Sequence, residues 1–184
     1  MDFPVKEIKL KDGRTCVLRP PTPEDAAALI EYLKATAGET HFLLRYPDEI
    51  GYTVVEEEKL LTERLEDPRS VMMLATVDGK LAGNGGFVSA GSKRKLRHRC
   101  EFCIALYREF HQLGIGTALI GYLTELARQA GYEQMDLNIH EDNAAAIALY
   151  KKSGFIASGR LHNAVRLDDG ACRDYILMYK PLTE

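Results

Sequence analysis

The stretch Phe110-His111-Gln112-Leu113-Gly114-Ile115-Gly116-Thr117-Ala118-Leu119-Ile120 decides the fold, because it joins a strand-like segment to a helix. Two glycines at such a turn let the backbone approach a ligand, and the free amides of the first helical turn favour an anion such as a pyrophosphate. The same glycines are also compatible with a tight turn alone. Apolar residues at spacings of three and four predict an amphipathic helix packed on a sheet, and they are Ile115, Leu119, Leu123, Leu126 and Ala130.

Two other phosphate-binding patterns fit this turn less well. A P-loop needs a lysine after its second glycine, whereas Thr117 follows Gly116. A dinucleotide fingerprint needs glycine or alanine where Leu119 stands. Its ribose-binding acid belongs at the end of a strand, whereas Asp136 lies inside one. A nicotinamide- or flavin-dependent oxidoreductase is therefore disfavoured.

A second informative segment lies downstream, Asn143-Ala144-Ala145-Ala146-Ile147-Ala148-Leu149-Tyr150-Lys151-Lys152-Ser153-Gly154-Phe155. Asn143 and Tyr150 are seven residues apart, so they share one face of a helix and both could face a ligand lying along it. Structural roles also account for these residues. Asn143 is then a helix N-cap, Tyr150 a core aromatic and Gly154 the C-terminal stop.

The two segments together resemble the GNAT family of acetyl-CoA-dependent N-acetyltransferases. The family's phosphate loop, Q/R-x-x-G-x-G/A, corresponds to residues 111–116, with His111 at the Gln/Arg position and Gln112 adjacent. The family's N-x-x-A-x-x-L-Y-x-x-x-G-F segment matches residues 143–155 at every named position. The resemblance extends from about Thr15 to Leu182. It implies an α/β (α+β) fold, a single GNAT-like N-acetyltransferase domain over residues 1–184 with a mixed central β-sheet flanked by helices.

The resemblance implies acetyl transfer from acetyl-CoA, as cosubstrate, to the primary amine of an unidentified acceptor by direct attack. The backbone near the end of the central strand is expected to contact the acetyl and pantetheine part, and the glycine loop to hold the pyrophosphate. The implied cofactor-binding residues are Ile104, Ala105, Leu106, Gln112, Leu113, Gly114, Ile115, Gly116, Thr117, Asn143 and Tyr150. An alternative with the same binding features is a non-catalytic acetyl-CoA sensor or interaction module.

Two catalytic residues are predicted. Tyr150 is the candidate general acid, because a phenol with a reference pKa of ~10 is protonated at neutral pH and can protonate a leaving thiolate. Glu101 is the candidate general base, although it could instead be a surface carboxylate paired with Arg97 or Arg99. The competing bases are Glu39, His41 and His140.

The segment 38–53 mixes aromatic and charged residues without a clear period, which is typical of a binding loop or of a partly buried connector. A small-molecule or peptide amine is the expected acceptor. Arg45 favours one with a carboxylate, and the acidic residues favour a cationic amine. Those acidic residues are Glu39, Asp48, Glu49, Glu56, Glu57 and Glu58.

Composition restricts the partners. With 24 Lys and Arg against 27 Asp and Glu, the net charge is -3, so no nucleic acid is expected. The run 93–99 is strongly basic and is either a solvated loop or a region that steers or contacts the anionic cofactor. No apolar run suits a membrane span, and Met1–Lys6 lacks a signal-peptide core, so a cytoplasmic protein is predicted. A homodimer is possible.

The four cysteines are Cys16, Cys100, Cys103 and Cys172, and they lie in strand-like runs. Cys100 and Cys103 point to opposite faces of a strand, so no metal is expected.

The remaining elements follow from periodicity and turn residues. A Thr22-Pro23 start precedes the first helix, and Asp78-Gly79 predicts a type I′ hairpin. The predicted elements are an opening strand Thr15–Arg19, helices to about Ala37 and over Val54–Leu65, strands Val71–Val77, Lys80–Gly83, Cys100–Tyr107 and Met135–Ile139, and a final pair Phe155–Arg166 and Ala171–Tyr179.

Overall fold

An eight-stranded mixed sheet runs through the molecule. The computed structural model describes residues 4–183. Met1–Phe3 and Glu184, which belong to the predicted 1–184 domain and in part to the segment tested for a signal peptide, lie outside the described residues. The strands are β1 (Lys6–Lys9), β2 (Thr15–Arg19), β3 (Val71–Val77), β4 (Lys80–Ser89), β5 (Arg99–Leu106), β6 (Gln134–His140), β7 (Ile156–Arg166) and β8 (Cys172–Pro181). Their order in the sheet is β1-β2-β3-β4-β5-β6-β8-β7.

Four helices cover the two faces of this sheet. They are α1 (Ala26–Glu39), α2 (Val54–Glu66), α3 (Ile115–Gln129) and α4 (Ala144–Lys152). In α3 the predicted apolar face is confirmed, since Ile115, Leu119 and Leu123 are fully buried. Helices α1 and α2 pack on the opposite face around a smaller cluster that includes Tyr32 and Leu61. Among the described residues, none of the helices combines the length and hydrophobicity needed to span a bilayer.

Local signals account for most element boundaries. Helix α2 begins after Thr53, whose hydroxyl accepts the amide of Glu56 while the Glu56 carboxylate accepts the amide of Thr53. The β3–β4 hairpin turns at Asp78 and Gly79, which have φ of 51° and 78°. Both values are positive, as a type I′ turn requires, so the predicted hairpin is confirmed.

The opening strand is an exception. The predicted strand Thr15–Arg19 is present as β2, but β1 precedes it and pairs with it antiparallel from Lys6 with Leu18 to Lys9 with Thr15. Only Ile8 of the four β1 residues is even partly buried. A four-residue edge strand with this polarity lacks the alternating pattern on which the prediction relied.

β5 and β6 are parallel neighbours that separate after three paired positions. They pair from Arg99 with Gln134 to Glu101 with Asp136, and both strands then continue, β5 to Leu106 and β6 to His140. β5 stays paired with β4, and β6 with β8. The sheet therefore opens into a wedge between β5 and β6, closed at Glu101 and Asp136 and open at the carboxyl ends of both strands.

Candidate functional site

Backbone polar groups of β5 line one side of the wedge. Tyr107 N–H donates to Ala82 O at 3.0 Å, across the β5–β4 side. By the alternation of a strand, Ala105 also directs its backbone groups at β4, whereas Ile104 and Leu106 direct theirs into the wedge. Ala105 O additionally accepts the Tyr32 hydroxyl at 2.8 Å. Of the three predicted backbone positions, Ile104 and Leu106 therefore face the wedge and Ala105 does not.

β6 contributes the other side. Glu141 N–H donates to Asp174 O at 3.1 Å towards β8, so the alternate residue Asn138 directs its backbone groups into the wedge. The His140 carbonyl lies on the same side but accepts the amide of Asn143 at 3.0 Å. The sequence motifs gave no signal for Asn138. Two facing rows of backbone donors and acceptors suit an extended ligand that carries amides of its own.

The loop between β5 and α3 ends in a set of free amides. Ala118 N–H donates to Gly114 O at 3.1 Å, which is the first hydrogen bond of α3. The amides of Ile115, Gly116 and Thr117 consequently have no acceptor within the helix. Together with the helix dipole they form a cradle for an anion.

The loop conformation requires residues that tolerate positive φ. Gln112 has φ 63° and Gly114 has φ 101°. The carbonyl of Leu113 accepts the amide of Lys11 at 3.2 Å, so the β1–β2 turn supports the loop. Nε2 of His111 lies 3.1 Å from Leu106 O. The residue that departs from the family pattern therefore ties the loop to the end of β5.

Gly116 also allows close packing. A Cβ at this position would lie 3.1 Å from Leu149 Cδ2 of α4 and 3.9 Å from methyl groups of Ile104 and Leu106. The start of α3 is thus held against both α4 and the wedge side of β5. The amide cradle and the wedge are therefore parts of one site.

Residues 143–155, the second motif, occupy the structural positions that their residue types favour. Asn143 caps α4, its side-chain oxygen accepting the amide of Ala146 at 3.2 Å. Gly154 follows the helix with φ 88°, as a C-terminal stop. The Tyr150 ring is buried against Phe102 and Phe155, with ring centroids 6.1 and 5.4 Å away.

The hydroxyl of Tyr150 is nevertheless available. It makes no hydrogen bond to another residue of the described chain. The one fully buried side-chain nitrogen or oxygen without a partner in residues 4–183 is Nδ1 of His140, so the Tyr150 oxygen reaches accessible space. Burial raises the pKa of Tyr150 above its ordinary 10, which keeps the phenol protonated.

The predicted base Glu101 lies at the closed end of the wedge. Its side chain is exposed and forms no ion pair among residues 4–183. The alternative pairing with Arg97 or Arg99 is wrong, because Arg99 pairs with Asp136 across β5 and β6 at 2.8 Å. The competing Glu39 carboxylate accepts the backbone amide of Arg108 at 2.9 Å and so anchors the end of α1.

The other two competing bases belong to one cluster beside the wedge. His41 Nε2 lies 3.0 Å from Asp142 Oδ2, and His140 Nδ1 lies 4.0 Å from Asp142 Oδ1. His140 is only 3 % exposed. Its ring lies in the space left by the loop after α1, with Phe42 5.7 Å and Tyr175 5.0 Å away between centroids.

This cluster is also the group of potential metal ligands found in residues 4–183, with ligand atoms within 4.8 Å of one another. However, Arg173 Nε lies 3.3 Å from Asp142 Oδ2. A permanent cation on the same carboxylate oxygen opposes a metal ion there. The arrangement suits proton handling better than metal binding.

A cavity of about 280 Å³ adjoins the cluster and is lined by the loop after α1, by His140 and by the end of β7. Two guanidinium groups line it. Arg45 donates to the Tyr52 hydroxyl at 2.6 Å, and Arg166 has no hydrogen-bond or ion-pair partner within the described chain. Neither is neutralised by a contacting carboxylate.

The predicted acidic side chains are mostly used elsewhere. Glu49 and Glu56 accept the amides of Tyr46 and Thr53 as helix caps, at 2.8 and 2.7 Å. Glu57 is buried beside a second cavity of about 120 Å³, which Arg45 also lines, and burial raises its pKa. The larger cavity therefore presents two guanidinium groups, Arg45 and Arg166, and one carboxylate, that of Glu49.

Two other predictions concern residues outside this site. The basic run 93–99 begins before β5, at the opposite end of the strand from the amide cradle. Eight residues of strand separate the two, about 26 Å at the rise of a β-strand. A role of this run in steering or contacting the anionic cofactor stays a prediction. All four cysteines are free, with Cys100 buried and Cys103 exposed, in keeping with opposite faces of β5.

Comparison with known proteins gives the class to which this fold and site belong. Residues 37–155 match the model of the acetyltransferase (GNAT) family. A GNAT acetyltransferase from Streptococcus pneumoniae superposes with a TM-score of 0.86 at 27 % identity, covering 91 % of this chain and 99 % of that one. A Salmonella typhimurium protein solved with its cofactor acetyl-CoA gives a TM-score of 0.81 at 21 % identity, covering 92 % and 95 %. The chain therefore belongs to the GNAT acetyltransferase family, and the predicted fold class is confirmed.

Curated relatives match over shorter stretches of the chain. Mycothiol acetyltransferase of Clavibacter sepedonicus is 24 % identical over 110 residues, which is 60 % of this chain and 34 % of that protein. The ribosomal protein bS18 alanine N-acetyltransferase of Escherichia coli K12 is 33 % identical over 82 residues, 45 % of this chain and 55 % of that enzyme. The chain thus spans about a third to a half of the lengths of these relatives.

Proposed function

We propose that this protein, as a single N-acetyltransferase domain over residues 1–184, transfers the acetyl group of acetyl-CoA to the primary amine of an acceptor by direct attack. The observation that carries the proposal is that the wedge and the amide cradle open at the same end of β5. Acetyl-CoA has amides along its pantetheine arm and a pyrophosphate beyond them. An extended ligand with these two features suits a site with these two parts.

The backbone supplies most of the cofactor contacts in this proposal. Gln112 to Thr117 hold the pyrophosphate at the start of α3, where free amides and the helix dipole favour negative charge. Ile104 and Leu106 hydrogen-bond the pantetheine and acetyl part from β5, and Asn143 lies at the start of α4 beside the arm. Leu106 N–H is free to stabilise the carbonyl oxygen as negative charge develops on it.

Tyr150 acts as the general acid. Its ring is fixed between Phe102 and Phe155, and its hydroxyl has no competing partner in the described chain. A phenol with a raised pKa holds its proton through the working pH range and transfers it to the basic thiolate as the C–S bond breaks.

The acceptor carries a carboxylate in addition to its amine. Arg45 and Arg166 line the larger cavity without a contacting carboxylate, whereas Glu49 is used as a helix cap. A carboxylate in that cavity would gain charge-assisted hydrogen bonds from a guanidinium group. A polyamine would meet like charges there.

A cytoplasmic location and a homodimer remain part of the proposal. β7 forms one edge of the sheet, and Leu161 on this strand is 51 % exposed. An unpaired edge with an exposed apolar side chain supports self-association. Light scattering of the purified chain tests the homodimer, and cell fractionation tests the cytoplasmic location.

Thiol release from acetyl-CoA tests the activity. The acceptors are glutamate, its diamide, in which both carboxylates are replaced by neutral amides, and spermidine as the polyamine. Release with glutamate above that with the diamide is expected, with little from spermidine. Arg45→Gln should raise KM for glutamate alone, while Arg94→Gln, an exposed position before β5, should not. Acetyl-CoA binding without release by any amine would favour the sensor alternative.

A further inference from the structure

We propose that His140 accepts the proton that the acceptor amine loses, with Asp142 positioning its ring and His41 passing the proton to solvent. The proposal deepens the acetyl-transfer function and rests on it. It assigns the general base to the β6 side of the wedge, whereas the sequence favoured Glu101 on β5.

The level of His140 along the wedge is the first support. Glu101 and Asp136 form the last paired position between β5 and β6. Ala105 on β5 and His140 on β6 are each four residues beyond it, so they lie at the same height on opposite sides. Glu101 itself is about 13 Å lower, at the rise of a β-strand. His140 is therefore level with the backbone that receives the acetyl group.

The orientation of the ring is the second support. Nδ1 of His140 is fully buried without a hydrogen-bond partner and lies 4.0 Å from Asp142 Oδ1. Nε2 makes no hydrogen bond in the described chain and is not among the fully buried atoms, so it reaches the cavity that His140 lines. With the proton on Nδ1 facing Asp142, Nε2 carries the lone pair that a base requires.

A route for the proton to solvent is the third support. Asp142 and His41 have side chains 38 % and 41 % exposed and are in hydrogen-bond contact at 3.0 Å. The buried His140 therefore connects to bulk water through two partly exposed groups. An imidazolium formed at His140 would be stabilised by Asp142 until its proton leaves.

The proton balance is complete. An ammonium acceptor loses two protons when the amide forms. His140 Nε2 takes the first, and the imidazolium so formed releases its Nδ1 proton to solvent through Asp142 and His41. The amine nitrogen then bonds to the acetyl carbon, the C–S bond breaks, and Tyr150 protonates the thiolate. Tyr150 recovers the second proton of the amine, so the products are the amide, the free thiol and one proton in solvent.

The charged surroundings determine the pH dependence. Burial lowers the pKa of His140 from its ordinary 6.5, and the nearby Asp142 raises it in part. The remaining groups that face it are His41, Arg173 and Tyr175, and the adjoining cavity also presents Arg45, Glu49 and Arg166. Because burial lowers the pKa of His140, the neutral base persists to lower pH than for an ordinary histidine. kcat/KM should therefore rise with pH as His140 loses its proton and level off once it is neutral.

His140→Gln tests the proposal with glutamate, or the best amine of the panel, as acceptor. We expect kcat/KM at pH 7 to fall by roughly 10²-fold or more. In this variant kcat/KM should keep rising with pH up to the pKa of the acceptor amine, because only the free amine reacts when no base removes its proton. Calorimetric binding of acetyl-CoA should be unchanged. His98→Gln, an exposed histidine just before β5, is the matched control and should behave as the wild type.

Asp142→Asn keeps the test valid if His140→Gln does not fold. Asp142 raises the pKa of His140, so its removal should move the acidic limb of the pH profile of kcat/KM to lower pH. At pH 7, kcat/KM should fall about tenfold. If the acidic limb is unchanged in both His140→Gln and Asp142→Asn, His140 is not the general base. Loss of this limb in Glu101→Gln or Glu57→Gln instead would also overturn the assignment. If the wild type releases no thiol with any amine, the proposed function itself fails.

Discussion

Replacing Gly114 with alanine tests how the phosphate loop is built. Gly114 has φ 101°, in a region that L side chains rarely adopt, although a Cβ there would meet no atom within 4 Å. The cost is therefore conformational, on the order of 1–2 kcal/mol. For a chain of this size that lowers Tm by roughly 2–8 °C. Gly121→Ala in the middle of α3 is the matched control, with the same open space and ordinary φ, and should stabilise by about 0.5–1 kcal/mol.

The two variants should also differ in their affinity for acetyl-CoA. Any relaxation of the strained loop turns the amides of residues 115–117 away from the pyrophosphate, so acetyl-CoA should bind about tenfold more weakly, equal to ~1.4 kcal/mol. Gly121→Ala should bind it unchanged. Denaturant unfolding and calorimetry measure the two effects. A Gly114→Ala protein with wild-type stability and wild-type affinity would refute the account of the loop.

Three further outcomes follow from the structure. Tyr150→Phe should lower kcat by roughly 10²-fold with unchanged acetyl-CoA affinity, and unchanged turnover would remove the acid role. The backbone amide of Asn163 and other donors hold the pKa of Asp174 at about 2, below the 3.8 of an unfolded chain. Its stabilisation is thus complete above about pH 4 and lost as pH falls through about 2. The free energy of unfolding of Asp174→Asn should accordingly be lower than that of the wild type at neutral pH, and the two values should converge near pH 2. Gly83→Ala would set a Cβ 2.5 Å from the Ala105 carbonyl, so denaturant unfolding should show a loss of at least ~1–3 kcal/mol, and a stable variant would contradict that packing.

Local patterns explain what the sequence predicted well. The apolar spacing of α3 and the Asp78-Gly79 turn each act within a few residues, so their signals can be read directly. Asn143 and Gly154 likewise occupy the helix cap and stop that their residue types favour.

Long-range pairing explains what the sequence did not predict. The wedge exists because β5 and β6 stop pairing after Glu101 and Asp136, and no residue within either strand signals that point. The Arg99 contact with Asp136 joins residues 37 positions apart, which is why the local pairing with Glu101 was wrong. The burial of His140 depends on His41, 99 positions earlier, and on β8. Strand periodicity alone could not distinguish it from an exposed alternate position.

Calorimetric titration with acetyl-CoA, compared with NAD and ATP at matched salt, tests the central claim most directly. The wedge and the amide cradle together predict that acetyl-CoA binds much more tightly than either nucleotide, and that Gly114→Ala weakens this binding. Failure of acetyl-CoA to bind, or tighter binding of NAD or ATP, would contradict the account.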